Sequence, residues 1–248
     1  MEVLGLVPAR AGSKGLPGKN VRPFLGRPLL AWSVEAALRA TTVSRVVLTT
    51  DSEEYAEVGR AAGAEVPFLR PAELAGDEVR DLPVFQHALA WLRDEEGYVP
   101  DLVVHLRPTS PIRPEGLIDA GVERLVARPD ADSLRAVSPS PHPPYKMWRI
   151  EADTLVAVAE SGVPEQHDAP RQALPETFVH TGILDVIRTP TITEMASMSG
   201  RVILPLVLPS ELDADIDDEA GFRAALAKAG VLGLAEPEPE AGSAERGR

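Results

Sequence analysis

The sequence predicts an α/β domain with a doubly wound, mostly parallel sheet. Three observations lead there. Apolar runs of strand length alternate with stretches carrying apolar residues at helical spacing, the order expected when helices cover both faces of a parallel sheet. The first run leads directly into a loop rich in glycine and lysine, at the strand end where open α/β sheets bind ligands. The chain has 248 residues and 44% hydrophobic content, enough for one domain with a full core.

Residues 3–7 form an apolar run short enough for a buried strand. The loop after it contains Arg10, Ala11, Gly12, Ser13, Lys14, Gly15, Gly18, Lys19 and Asn20. Its glycines allow tight turns and close backbone approach to a ligand, and free backbone N–H groups there can form an anion-binding nest. Arg10, Lys14 and Lys19 add positive charge, so a polyphosphate is the natural guest. The competing reading is a glycine-rich turn with solvated lysines, and the loop's position at a strand end weighs against it. Neither familiar phosphate loop fits. Ser13 and Asn20 break the Walker A pattern around Gly18-Lys19, and Gly12-Ser13-Lys14 is not the dinucleotide fingerprint.

Pro28 opens a helix to about residue 40, with Leu30, Val34 and Leu38 inward. Residues 45–50 read as a second buried strand. Asp51 and Ser52 precede a helix over 53–62, closed by Gly63; Asp51 either touches ligand or shares the capping role with Ser52, and capping is favoured. Residues 64–69 read as a third short strand. A polar, proline-marked loop, Arg70-Pro-Ala-Glu-Leu-Ala-Gly-Asp77, leads to a helix over 82–95 with Val84, Ala88, Leu89 and Leu92 inward.

The strand over 101–106 ends in Arg107-Pro-Thr-Ser-Pro-Ile-Arg113, where prolines hold two hydroxyls (Thr109, Ser110) and two guanidiniums rigidly. An arginine fork matches a carboxylate in two places. A helix from Pro114 to about 127 and a strand over 132–137 follow. Over 138–175 the periodicity weakens and prolines mark an insertion, read as an arm or lid. Residues 178–187 read as a strand in which Gly182 can admit a ligand closely, and 202–208 as the last clear strand.

Asp213, Asp215, Asp217, Asp218 and Glu219 then precede a helix ending near Lys228. Clustered carboxylates there suit a hard cation such as Mg²⁺, or helix capping. In an extended segment Asp215 and Asp217 point to one side and Ile216 to the other. Residues 235–248 read as a disordered tail, leaving 1–234 as the domain.

The formal charge of −13 argues against general nucleic-acid binding. The absence of cysteine excludes disulfides and thiolate metal sites. No charged leader and no apolar run of membrane-spanning length is evident, so a cytoplasmic chain without a membrane partner is expected. Arg10, Lys14, Lys19, Arg22 and Arg27 stand against only Glu2 in residues 1–34, a balance suited to a small anionic ligand. No activated covalent nucleophile is evident.

The pattern P-A-R-x-G-S-K-G-x-P-x-K-N over 8–20 resembles the entry loop of the acylneuraminate (sialic acid) cytidylyltransferase family, the CMP-sugar synthetases. Kdo cytidylyltransferases lack its Lys-Gly and Lys-Asn pairs. Further segments are similar to the family: R-P-x-E-L-A-x-D at 70–77, beside the nucleotide base; L-x-P-T-S-P-L-R, with Arg107 where glutamine is common; H-x-P…K and R-Q-x-L-P in the insertion; and the D-I-D metal pair at Asp215-Ile216-Asp217. The chain departs from the family at Glu78 to Asp81, and at Thr181-Gly182, where Asn-Gly is usual.

The resemblance spans about residues 3–225. It implies a nucleotide-diphospho-sugar transferase-like fold, with the insertion as a β-rich dimerisation arm of a homodimer. It also implies transfer of CMP from CTP to the anomeric hydroxyl of an acidic nine-carbon sugar, with pyrophosphate leaving. By the same resemblance Arg10, Lys14, Lys19 and Asp215 are catalytic. Ala11, Gly12, Ser13, Asn20, Arg70 and Asp77 bind nucleotide. Arg107, Thr109, Ser110, Lys146, Arg171 and Gln172 bind the sugar, and Asp215 and Asp217 hold Mg²⁺. His142 is left without a role. The alternatives are a nucleotidyltransferase of the same fold with another nucleotide or sugar acid (Kdo, pseudaminate), a nucleotide-sugar glycosyltransferase, and a non-catalytic sensor.

Overall fold

The computed structural model describes residues 1–234, so the expected tail at 235–248 lies outside the described residues. In chain order the elements are β1 (Val3–Pro8), the two-residue strands β2 (Pro23–Phe24) and β3 (Arg27–Pro28), α1 (Leu29–Arg39), β4 (Arg45–Thr49) and α2 (Glu53–Ala61). Next come α3 (Asp81–Glu96), β5 (Leu102–His105), α4 (Leu117–Val126), β6 (Ser133–Pro139), β7 (Trp148–Glu151) and β8 (Thr154–Ala157). The chain continues with β9 (Phe178–Arg188), α5 (Thr189–Thr193), β10 (Ile203–Val207) and α6 (Glu219–Val231).

Six strands form the central sheet in the order β10-β6-β9-β5-β1-β4. All neighbours in it are parallel except β9, which runs antiparallel to both β5 and β6. β1 is apolar along its length because it pairs on both edges and is covered on both faces. Val3 and Val7 belong to one core cluster, with α1 and α4; Leu4 and Leu6 belong to the other, with α3. This alternation is the period-two geometry of a strand buried on both sides. The parallel strands therefore aim their C-terminal ends, and the loops after Pro8 and His105, at one edge.

The sequence-based strand over 64–69 forms only a single bridge, Glu65 with Val47. Pro67 lacks an N–H and cannot continue the ladder. Helix α4 begins at Leu117, later than the expected Pro114, behind Gly116 in the left-handed conformation. Helix α5, with Pro190 in its first turn, lies outside the predicted elements. Ser52 caps α2, accepting a hydrogen bond from the Tyr55 N–H at 3.4 Å. Asp51 is thereby free for another partner.

A third core cluster joins chain ends that are far apart in sequence. Leu16, Phe24 and Leu29 from the N-terminal part pack with Ile216, Phe222 and Ala225. The Phe24 and Phe222 rings meet edge to face at 6.0 Å. This packing brings the aspartate-rich segment against the glycine-rich loop. The insertion carries the β7–β8 hairpin, separate from the main sheet. No helix among the described residues is long and apolar enough to cross a membrane.

Candidate active site

The glycine-rich loop is braced from below. The Ala11 N–H donates to Asp51 Oδ1 at 2.9 Å, and Asn20 Nδ2 donates to the Arg10 carbonyl at 3.0 Å. One 3₁₀ turn, Lys19–Val21, buries Lys19 and Asn20. A Cβ on Gly15 would lie 2.5 Å from the Asp217 carbonyl oxygen, so this position needs glycine for the loop to close on the C-terminal segment. The Ile216 N–H donates to the Thr109 carbonyl at 2.9 Å. Three remote segments therefore meet: the glycine-rich loop, the loop after β5, and the turn before α6.

Ile216 is fully buried, while Asp215 and Asp217 are exposed on the other side of the segment. Asp218 caps α6, accepting from the Gly221 N–H at 2.8 Å, which leaves its neighbours out of that role. Lys19, largely buried, reaches Asp217 Oδ1 at 3.1 Å. Asp215 is exposed as a residue, but its carboxyl pKa is raised, first by partial desolvation and then by Asp217; the Thr109 hydrogen bond opposes this.

A cleft of about 200 Å³ opens between the glycine-rich loop and the loop after β5, and the aspartate turn stands beside it without lining it. Arg10, Ser13, Lys19 and Asn20 line one wall, Arg70 and Gly76 a second, and Arg107 and Thr109 a third, with Asp81 between them. Gly12 is exposed and Ala11 half-buried in the same loop. Arg70 is buried and donates to the Thr49 carbonyl at 2.6 Å. Burial lowers its pKa to about 10, against the pull of Asp51 and Asp81, so it remains charged at neutral pH. Asp77 pairs with Lys14 and with Arg10, the latter at 2.6 Å, and these contacts hold its carboxyl below the usual range.

Other predicted residues go elsewhere. Ser110 is buried and donates to the Thr181 carbonyl at 3.3 Å. Gly182, with φ of 69°, admits this loop and not open space: a Cβ there would sit 3.1 Å from Ser110 Oγ. Arg113, the second guanidinium of the loop, donates to the Ile183 and Arg107 carbonyls and to Ser33 Oγ, so it braces the fold. Burial pushes it down to about 9, helped by Arg107. Arg171 and Gln172 line a separate cleft of about 480 Å³ at the root of the arm, and Lys146 lines another beside His142 and Arg171.

Sequence reasoning missed the group beneath Arg107. Arg107 donates to Asp185 at 2.8 Å and to Asp81 at 3.2 Å; burial alone would lower its pKa, but these two carboxylates raise it. Asp185 is buried, and burial alone would raise its pKa; the His180 hydrogen bond and Arg107 outweigh this and hold it well below the usual range. The available signal was a lone aspartate inside the apolar run 183–187, because a buried carboxylate requires a partner.

His105 is fully buried in the same group, and neither ring nitrogen has a hydrogen-bond partner. Burial, then Arg107, lowers its pKa to about 3. The unfolded value lies near 6.5, so below that pH the unfolded chain takes up a proton that the folded chain refuses. Stability from this source is complete above the unfolded value and falls as the pH drops toward the folded one. Urea unfolding at pH 7.5 and 5.0 should show His105→Gln losing less stability than wild type, by on the order of 2 kcal/mol. Equal losses in the two proteins would mean that His105 is protonated in the fold.

Comparison with known proteins follows the same lines. Residues 4–161 match the family model described as Cytidylyltransferase. The chain is 28% identical over 225 residues to the N-acylneuraminate cytidylyltransferase of Escherichia coli O18:K1:H7, covering 91% of this chain and 51% of that protein. It is 38% identical over 139 residues to the CMP-N,N'-diacetyllegionaminic acid synthase of Legionella pneumophila, covering 56% of this chain and 59% of that protein. The chain thus spans between 51% and 59% of the length of these curated relatives. In fold it is similar to a CMP:2-keto-3-deoxy-manno-octonic acid synthetase complexed with CTP, with a TM-score of 0.69 at 14% identity, covering 94% of this chain and 100% of that one. The family match extends over more than half of the sequence, and the chain belongs to the cytidylyltransferase family.

Proposed function

We propose that this protein transfers CMP from CTP to the anomeric hydroxyl of an acidic nine-carbon sugar, releasing pyrophosphate. The observation that carries this reading is the convergence of Lys19, on the braced glycine-rich loop, with the outward-facing Asp215 and Asp217. The relatives named for N-acylneuraminate and diacetyllegionaminate support the acceptor class.

Transfer at phosphorus requires positioning and neutralisation of charge more than covalent assistance. Arg10, Lys14 and Lys19 would hold the phosphates and offset the charge that develops on the leaving pyrophosphate. Arg10 and Lys14 would exchange Asp77 for phosphate oxygens, which is feasible because these pairs lie at the surface. The backbone of Ala11, Gly12 and Ser13, with Asn20 and Arg70, would orient the nucleotide.

Asp215 and Asp217 fit a divalent cation. Mg²⁺ takes one or two protein carboxylates and completes its shell with water and phosphate. No group of three or more ligating residues exists among the described residues, so a site here depends on the nucleotide for its remaining ligands. The raised pKa of Asp215 reflects desolvation and repulsion that a cation would relieve. When bound, the ion supplies charge neutralisation at the triphosphate and acidifies a bound hydroxyl.

A matrix of four nucleoside triphosphates and several sugar acids, read by pyrophosphate release, tests the reaction. Release is expected with CTP and a nonulosonic acid. Lys19→Ala should lower turnover roughly 10²–10³-fold, as for loss of one transition-state contact. Near-normal turnover of that variant at saturating CTP would remove Lys19 from the mechanism.

We further propose that the arm pairs two copies of the chain. Trp148, Ile150 and Leu155 are exposed together on the β7–β8 hairpin, and such apolar surface marks an interaction site. Pairing would carry Lys146, Arg171 and Gln172 toward a second subunit's cleft. Sedimentation should give a dimer for wild type and a monomer for Ile150→Glu combined with Leu155→Glu. A wild-type monomer would end this proposal.

A further inference from the structure

Beneath the wall of the cleft that carries Arg107, three polar side chains cross three central strands. His105 on β5 is in register with Asp185 on β9, and Asp185 with Arg135 on β6. Cross-strand partners share a face, so the three form one row. The Asp185 side chain is 1% exposed. Its Oδ2 accepts from Arg107 Nη1 at 2.8 Å, and its Oδ1 meets His180 Nε2 at 2.9 Å. Arg135 Nε lies 3.7 Å from Oδ1, outside hydrogen-bond range, and finds no other partner.

Both groups held by Asp185 reach toward solvent. The Arg107 side chain is 23% exposed and lines the cleft, and the His180 side chain is 34% exposed. His180 is in register with Val137, near the C-terminal end of β6, and so stands at the ligand edge of the sheet. A single arginine would suffice to compensate a buried carboxylate. Here the carboxylate is divided between two partly exposed groups from different elements, as in sites where a carboxylate orients an imidazole or guanidinium.

Arg107 is bonded to two aspartates, Asp185 and Asp81, so its single charge faces two carboxylates of the chain. The charge of Arg107 is therefore already met by its own partners. Arg107 nevertheless keeps three of its five N–H donors beyond those given to Asp185 and Asp81.

We propose that Asp185 is a positioning residue for the sugar acceptor: it holds Arg107 and His180 at the acceptor end of the cleft and, by cancelling the charge of Arg107, sets that end to read a neutral hydrogen-bonding substituent, an amide carbonyl or a hydroxyl, and not the sugar carboxylate. This rests on the CMP-transfer reading above, and deepens it by naming the part of the acceptor that is read.

The test uses the intact chain, CTP, and two nonulosonic acids that differ at one carbon, with an acetamido group in one and a hydroxyl in the other. Wild-type pyrophosphate release comes first. Release with neither acid would overturn the transfer reading and this proposal with it. Given release, Asp185→Asn, His180→Ala and Arg107→Gln should each raise acceptor KM by about 10-fold or more and change the kcat/KM ratio between the two acids, as when a polar contact is lost. KM for CTP should stay within about twofold of wild type. Asp185→Asn and Arg107→Gln both disturb a buried pair, so His180→Ala, at the more exposed partner, tests the same contacts with the least disturbance to the fold. Combining Asp185→Asn with Arg107→Gln should cost little more in acceptor KM than either alone. A lowered melting temperature with unchanged acceptor KM and ratio, or costs that simply add, would overturn the proposal.

Discussion

The burial of Ile216 is the constraint on which the site depends. Its side chain belongs to the third core cluster, and its N–H is held by the Thr109 carbonyl. An extended segment pinned at that residue must turn the residues on either side outward. Asp215 and Asp217 therefore face the glycine-rich loop because of a packing contact and not because of their own chemistry. Gly15 permits the close approach, and Lys19 meets Asp217 across 198 positions of sequence. The parallel strands place the other two segments at the same edge, so the sheet assembles the cleft and this one buried side chain sets the aspartates beside it.

The cations in and around the cleft divide into three kinds according to their partners. Arg10 and Lys14 pair with Asp77 at the surface, where ion pairs are worth little and a triphosphate can compete for them. Arg107 pairs with Asp185 in the interior, where separating the two would leave an uncompensated buried charge. The first kind is exchangeable and suits a substrate that arrives and leaves with each turnover. The second is fixed, and suits a wall that must keep its shape. Arg70 and Arg113 are of a third sort: buried on carbonyl oxygens, they hold loops in place.

Much of this architecture was legible in the sequence, for identifiable reasons. Six sheet strands and the main helices follow from apolar runs, helical spacing and caps, all of which are local signals. The segment at 64–69 looked like a strand because its apolar content is local, whereas the proline at position 67 decides its pairing. The phosphate loop and the aspartate pair could be marked, but their meeting depends on Ile216 and Phe222 finding Phe24, a long-range contact no periodicity reveals. The row His105–Asp185–Arg135 was invisible for the same reason: it exists only through cross-strand register, including a bulge in β6–β9 between Arg135 and Val137. Arg107 could be marked as an arginine near a ligand, but not as one already matched with carboxylates. Lys146, Arg171 and Gln172 lie in the arm, and nothing local says which cleft, or which copy of the chain, they serve.

The central claim is that Asp215 and Asp217 are turned outward to hold a divalent cation jointly with the nucleotide. Calorimetric titration of Mg²⁺ into the protein, with and without a non-hydrolysable CTP analogue, tests it most directly. The account predicts weak binding alone and strong binding with the analogue. It also predicts that Asp215→Asn abolishes the nucleotide-dependent part and leaves the melting temperature nearly unchanged. Binding that is indifferent to the nucleotide, or a variant that keeps it and loses only thermal stability, would contradict the account and make the aspartate pair structural.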